Sequence, residues 1–350
     1  MLESMSDATL VALIGFCGGL LLGLAARIGR FCTLGAIEDL LYQGSSIRLR
    51  MWVLAIGVAT ICVFSFSMAG LFDPSQSIYH LIPWSPFASI FGGLLFGYGM
   101  SLAGSCGFGA LARFGGGDLR SFVIVLVMGI AAYVMLSGPL ATFRVAVVSA
   151  TELDTGFAGY SEIIHYFTGL PIAATGLAIG IVIAVAGLWS APFLANRTAL
   201  IWAVLVGIAI VSGWIGTYWV ATHGFDTASV QSHTFSAPLG ESLLFLMTSS
   251  GGGWSFGVGS VMGVLAGAFC GSLIKGHFRW EACEDPRELK RQILGAVCMG
   301  FGAVLAFGCT VGQGISAFSV LALSAPFTFA AIFAGAAIGL RQLITGFART

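Results

Sequence analysis

The sequence predicts an all-α polytopic membrane protein. It should have about nine transmembrane helices plus short re-entrant helices, built as two inverted repeats of four spans joined by a connector helix. Three observations predict this. Of the 350 residues, 57% are hydrophobic and 9% charged, with a mean hydropathy of +0.97; a soluble domain of that composition could not cover itself with polar surface. Apolar runs near twenty residues recur, the length a helix needs to cross a bilayer. Finally, Gly97-Tyr-Gly99-Met-Ser-Leu-Ala-Gly-Ser-Cys106-Gly-Phe-Gly109 returns without a gap as Gly300-Phe-Gly302-Ala-Val-Leu-Ala-Phe-Gly-Cys309-Thr-Val-Gly312. A duplicated helix, a break and then Cys-x-x-Gly is too long a match to be composition.

In chain order the spans are expected at 9–26, 51–70, 87–104, 120–138, 171–190, 199–219, 256–274, 292–307 and 327–344. The first is preceded by Glu3 and Asp7 and by no Lys or Arg, so it reads as a membrane helix rather than a secretory signal peptide. The fifteen Lys and Arg balance the fifteen Asp and Glu, but their placement is uneven. Fourteen fall in connections on one side: Arg27, Arg30, Arg48, Arg50, Arg113, Arg120, Arg197, Lys275, Arg279, Arg287, Lys290, Arg291, Arg341 and Arg349. The other side has Arg144 alone, among Glu3, Asp7, Asp73, Glu152, Asp154, Glu162, Asp226 and Glu241. The positive-inside rule then places the N-terminus outside and the C-terminus in the cytoplasm.

The repeat extends further. Phe31-Cys32-Thr-Leu-Gly35 aligns with Phe235-Ser236-Ala-Pro-Leu-Gly240, and each is followed by an apolar stretch too short to span, Ala36–Tyr42 and Ser242–Met247. Spans one to four (residues 1–138) thus match spans six to nine (199–350), and residues 139–198 supply an outer loop and the connector. An even-numbered unit followed by one further crossing places the second copy upside down. Secondary transporters with this architecture hold their substrate where the repeats meet, near the bilayer midplane.

Four segments then enter the interior, those at Cys32 and Cys106 from the cytoplasmic side and those at Ser236 and Cys309 from outside. Glycines at Gly35, Gly107, Gly109, Gly312 and Gly314 permit sharp turns and close approach to the backbone. The short helix after each break offers free N–H groups and a positive dipole end, which suits an anion. Broken backbone at membrane depth is tolerated where it is buried in protein or lines a cavity. A thiol in a low-dielectric pocket stays protonated and does not repel an anion. As a small, soft donor it suits the terminal sulfur of a thiosulfate-like anion better than a hydrated sulfate-like oxyanion.

Arg30-Phe-Cys32-Thr-Leu-Gly35-Ala, Gly104-Ser-Cys106-Gly-Phe-Gly109 and Gly308-Cys309-Thr-Val-Gly312-Gln-Gly314 resemble the three cysteine motifs of the YeeE/YedE family of sulfur transporters. The resemblance runs over nearly the whole chain. It implies a bacterial inner-membrane protein that imports thiosulfate past Cys106, Cys32 and Cys309 by S–H···S contacts. It also implies partnership with a small cytoplasmic sulfur carrier of the TusA kind. Some members are linked to selenium, so a selenium-containing or other sulfur anion is the alternative substrate. Ser236 in place of a fourth cysteine fits the family.

Other residues carry lesser expectations. Arg27, Arg30 and Arg113 flank the breaks and either attract an anion or simply anchor the cytoplasmic face. Gln313 is a candidate donor to substrate oxygens. Glu38 and Asp39 are expected to balance the nearby arginines. Cys17, Cys62, Cys270 and Cys298 lie inside spans and read as packing residues. His80, His165, His223 and His233 read as outer-surface residues. Cys270, His277 and Cys283 lack a fourth ligand and a C-x-x-C, so no metal site is expected. A membrane thiol oxidoreductase would need a cysteine pair within disulfide reach, and the sequence has no C-x-x-C. There is no P-loop, dinucleotide fingerprint or triad pattern, and neither a cofactor nor a nucleic-acid partner is expected.

Overall fold

Polar residues flanking the apolar runs fix where the helices begin. Ser85, Asn196 and Ser255 accept hydrogen bonds from the backbone N–H of Ala88, Ala199 and Val258 at 3.2, 3.1 and 3.2 Å, satisfying donors that a helix start leaves free. Asp118 and Asp285 do the same for Arg120 and Arg287. A computed structural model describes residues 6–225, 228–249, 253–282 and 285–346, and the expectations that fall on Glu3, Asp226, Cys283 and Arg349 lie outside these.

The helices in order are α1 (Asp7–Arg27), α2 (Thr33–Glu38), α3 (Ile47–Met68), α4 (Ile78–Leu81), α5 (Pro86–Ala103), α6 (Gly107–Gly115), α7 (Leu119–Leu136) and α8 (Ala141–Ala150). Next come α9 (Tyr160–Thr168), α10 (Ile172–Leu188), α11 (Ala191–Ala195), α12 (Arg197–His223), α13 (Ala237–Thr248), α14 (Phe256–Ile274), α15 (Pro286–Leu305) and α16 (Ser324–Thr345). Wider π-turns continue α2 over Asp39–Gln43 and occupy Gly312–Ala317 after the last break. Among the described residues, β-pairing is confined to isolated bridges.

The protein is therefore an all-helical, multi-pass membrane protein. Among the described residues, seven helices are long and apolar enough to cross a bilayer, one of them α5 with α6 taken as a single stretch; the bent pair α9–α10, turned by 119°, brings the number to eight when counted as one span. The expected span at 292–307 falls on α15, which ends at Leu305, opens on Arg287, Glu288, Lys290 and Arg291 and falls short of that standard. The stretch after Ser236 is longer than expected, since α13 runs from Ala237 to Thr248.

Small residues bring the helix backbones together. On α1, Gly15, Gly19 and Gly23 abut the carbonyls of Phe256, Ser260 and Val264. On α14, Gly259, Gly263 and Gly267 abut those of Ala12, Phe16 and Leu20. A glycine every fourth residue on both helices leaves one flat face on each. In a bilayer, where apolar burial gives no net drive, such close packing holds helices together. α5 and α15 meet similarly through Gly92 against Gly302 and Gly99 against Gly295.

The helix pairings recur in two sets. α1 packs on α14 as α12 packs on α3, and α5 packs on α16 as α15 packs on α7. α13 meets α7 as α2 meets α16, while α6 touches α1 and α14 as the π-turn at Gly312–Ala317 touches α12 and α3. α10 packs along α3 outside this correspondence.

Candidate functional site

Each motif cysteine stands two residues after a left-handed backbone position, which turns the chain from one helix into the next. Those positions are Arg30 (φ 55°), Gly104 (φ 77°) and Phe307 (φ 54°). Glycine adopts this region freely, whereas Arg and Phe are held there against a cost of about 1–3 kcal/mol. The brace at Phe307 is Gln313. Its Nε2 donates to the carbonyls of Ala306 and Phe307, both at 3.0 Å, and its Oε1 accepts from Ser324 Oγ at 3.2 Å. The side chain expected to reach substrate oxygens therefore spends both amide hydrogens on backbone carbonyls.

The sulfurs of Cys106 and Cys309 face the amides that begin the following turn. Cys106 caps α6 and its Sγ accepts from Gly109 N–H at 3.4 Å. Cys309 Sγ accepts from Gly312 N–H at 3.5 Å and from Phe235 N–H at 3.2 Å, with Thr234 Oγ1 at 3.6 Å. Phe235 thus binds the break before α13 to the break at Cys309. Gly107 abuts the carbonyl of the same Phe235, and Phe108 and Phe235 lie 5.2 Å apart, which brings the break at Cys106 to the same place. Ser236 follows, buried at the start of α13. Cys106 and Cys309 are buried in the core; Cys32, at the start of α2, is half-buried against it.

Two cavities flank this core. One, of about 350 Å³, is lined by Cys32, Gly35, Gly104 and Gly109, together with Arg27, Arg30, Arg48, Arg113, Lys275 and His277 and a single carboxylate, Glu38. Asp39 pairs with Arg48 at 3.1 Å, and Arg27 Nε donates to Ser272 Oγ at 2.7 Å. The mouth remains strongly positive, which raises the local concentration of anions.

The other cavity, of about 610 Å³, lies at the end that carries Glu152, Asp154 and Glu162, with Arg144 beside them. Tyr79 and Phe307 are among the residues that line it. Their rings meet edge to face at 5.6 Å, and Tyr79 also contacts Trp214 at 6.1 Å and lies close to Cys309. The Tyr79 hydroxyl also stands beside Gly312, three residues after Cys309.

Several side chains depart from expectation. His233 is fully buried, its Nδ1 2.7 Å from Ser260 Oγ and its ring 4.9 Å from Phe256; the loop that carries it tucks between helices instead of lying on the surface. His80 is mostly buried in the wall of the larger cavity, and burial pushes its imidazole below the usual range, keeping it neutral. Cys17 and Cys270 are exposed on helix surfaces, while Cys62 and Cys298 are partly buried. Sequence reasoning also passed over three hydroxyls. Thr33, Ser105 and Thr310 are buried and have no hydrogen-bond partner, and each is the immediate neighbour of a motif cysteine. That adjacency was the signal available.

Broken helices meeting between two cavities, in a bundle of membrane-crossing helices, define a membrane transport protein. The chain belongs to the Sulf_transp family, described as sulphur transport, which it matches over residues 28–338. It is 26% identical over 322 residues to the thiosulfate transporter TsuA of Escherichia coli K12, covering 87% of this chain and 86% of that one. It is also 26% identical over 323 residues to the thiosulfate transporter TsuA of Spirochaeta thermophila, covering 89% and 92%. The protein is a transporter of sulfur-containing anions and not an enzyme.

Proposed function

We propose that this protein imports thiosulfate into the cytoplasm across the bacterial inner membrane, handing it from Cys309 to Cys106 to Cys32. The observation that carries the proposal is that Cys32 lines the smaller cavity while Phe307 and Tyr79, which flank the break holding Cys309, line the larger. A neutral S–H donates to the terminal sulfur of the anion, and no covalent bond forms. The handover avoids a deep well because each thiol offers a similar, weak contact. The two relatives named as thiosulfate transporters support thiosulfate over other sulfur anions.

The orientation follows from charge: the basic end is cytoplasmic and the acidic end faces outward. Nine crossings fit this, with α10 as connector and α15 as the eighth span. The inverted repeat, residues 1–138 against 199–350, is supported by the paired helix contacts, α1–α14 with α12–α3 and α5–α16 with α15–α7. A TusA-like carrier would take thiosulfate at the basic mouth.

The test is uptake of radiolabelled thiosulfate by proteoliposomes holding the purified protein. Accumulation that unlabelled thiosulfate suppresses, and selenium oxyanions suppress poorly, is the expected result. No uptake above protein-free vesicles would refute the assignment, and stronger suppression by the selenium anion would move it to that substrate.

A further inference from the structure

Thiosulfate has two chemically different ends, a soft sulfur and three hard oxygens, and the thiols address only the first. Ser105 and Thr310 are both 0% exposed, and neither hydroxyl has an oxygen or nitrogen partner. A buried hydroxyl left unpaired costs free energy, so protein interiors rarely keep one without a use. These two occupy the same place. Ser105 precedes Cys106 in the chain, and a side chain at Gly109 would meet both its Cβ and the Cys106 sulfur, at 3.4 and 3.7 Å. Thr310 follows Cys309, whose sulfur is held by the same Phe235 that meets Gly107 and Phe108 beside Cys106, and its hydroxyl approaches the Cys106 thiol from the other half of the chain. One buried hydroxyl from each half therefore flanks the central thiol, Ser105 without a partner and Thr310 with no acceptor nearby but that sulfur.

We propose that Ser105 and Thr310 form the oxyanion-reading part of the central site, donating to the oxygens of the substrate while Cys106 holds its sulfur. This rests on the thiosulfate reading above and extends it. The hydroxyls select an anion that has oxygens at one end and sulfur at the other. Thr33, the third unpaired hydroxyl, stands beside Cys32, where the anion leaves the core.

Two substitutions at Thr310 separate substrate contact from packing, because they change opposite things. T310V keeps the shape and removes the hydroxyl; T310S keeps the hydroxyl and removes a methyl group. The readouts are thiosulfate uptake kinetics in proteoliposomes and the rise in melting temperature that thiosulfate produces in purified protein. Loss of a hydrogen bond to a charged group corresponds to about ten- to a hundredfold in binding. T310V and S105A are thus expected to raise KM at least tenfold and to abolish the thiosulfate-dependent rise, with T310S close to the unaltered protein. T310V performing as well as T310S or better, or S105A with unchanged KM, overturns the hydroxyl proposal while leaving the thiosulfate reading intact. Absence of thiosulfate uptake by the unaltered protein overturns the reading itself.

Discussion

The backbone N–H of Phe235 points at the sulfur of Cys309 at 3.2 Å. Phe235 ends the loop before α13, and Cys309 opens the turn after α15, so one hydrogen bond ties two chain breaks of the same half. Gly312 N–H approaches the same sulfur at 3.5 Å. C309A leaves both amides without an acceptor in a buried site, at a cost of about 1–3 kcal/mol. A lower melting temperature together with lost uptake is expected. C309S restores an acceptor, so it should recover much of the stability but little of the transport. Equal uptake by C309S and the unaltered protein would show that a soft thiol is unnecessary at this position.

Gln313 supports the lining of the larger cavity through Phe307. Q313A removes the two donors that hold the carbonyls of Ala306 and Phe307, leaving Phe307 in a left-handed conformation without its brace. A loss of about 2 kcal/mol is expected. F307G has no such backbone cost but loses the ring that meets Tyr79. Both variants should speed the labelling of Cys309 by an impermeant thiol reagent added at the acidic end, by at least tenfold. The check is the labelling rate in a background where the other cysteines are replaced.

The glycines after Cys106 are not equivalent. A Cβ at Gly107 would lie 2.7 Å from the Phe235 carbonyl oxygen and 2.8 Å from Met128 Sδ, whereas one at Gly109 meets only ordinary contacts at 3.4 and 3.7 Å. G107A is expected to push the breaks apart and abolish uptake. G109A should fold and transport at more than half the normal rate. Uptake assays on the two variants decide this, and a reversed order would contradict the packing described for Phe235.

The positions of the breaks were legible in the sequence because a duplicated Cys-x-x-Gly is a local pattern. The glycine at Gly104 also announced its turn. Arg30 and Phe307 did not, since neither residue type signals a left-handed conformation and only the finished structure holds them there. The role of Gln313 was hidden for the same reason: its partners Ala306, Phe307 and Ser324 are set by the fold of the break. His233 was misplaced because its loop has no apolar period, yet the groove between α1, α12 and α14 buries it. The charged start of α15 similarly obscures how many helices cross, because composition alone sets it apart from its neighbours.

The basic mouth should draw anions to Cys32. With Cys32 as the sole reactive cysteine, an anionic thiol reagent should outpace a neutral one of similar size at low salt. Raising the ionic strength from 0.01 to 1 M shortens the screening length from about 30 to about 3 Å and should remove most of that advantage. R113Q and K275Q should each reduce it at low salt, because both side chains line the cavity. An anionic-to-neutral rate ratio unaffected by salt would mean that the arginines serve the membrane interface instead.

Cys106 is buried where the breaks meet at Phe235, and the proposed handover passes through it. The most direct test is thiosulfate uptake by proteoliposomes containing C106A, with folding verified by its melting temperature. The account predicts a folded protein with uptake at the level of empty vesicles. A folded C106A protein that takes up thiosulfate at near the normal rate would contradict it.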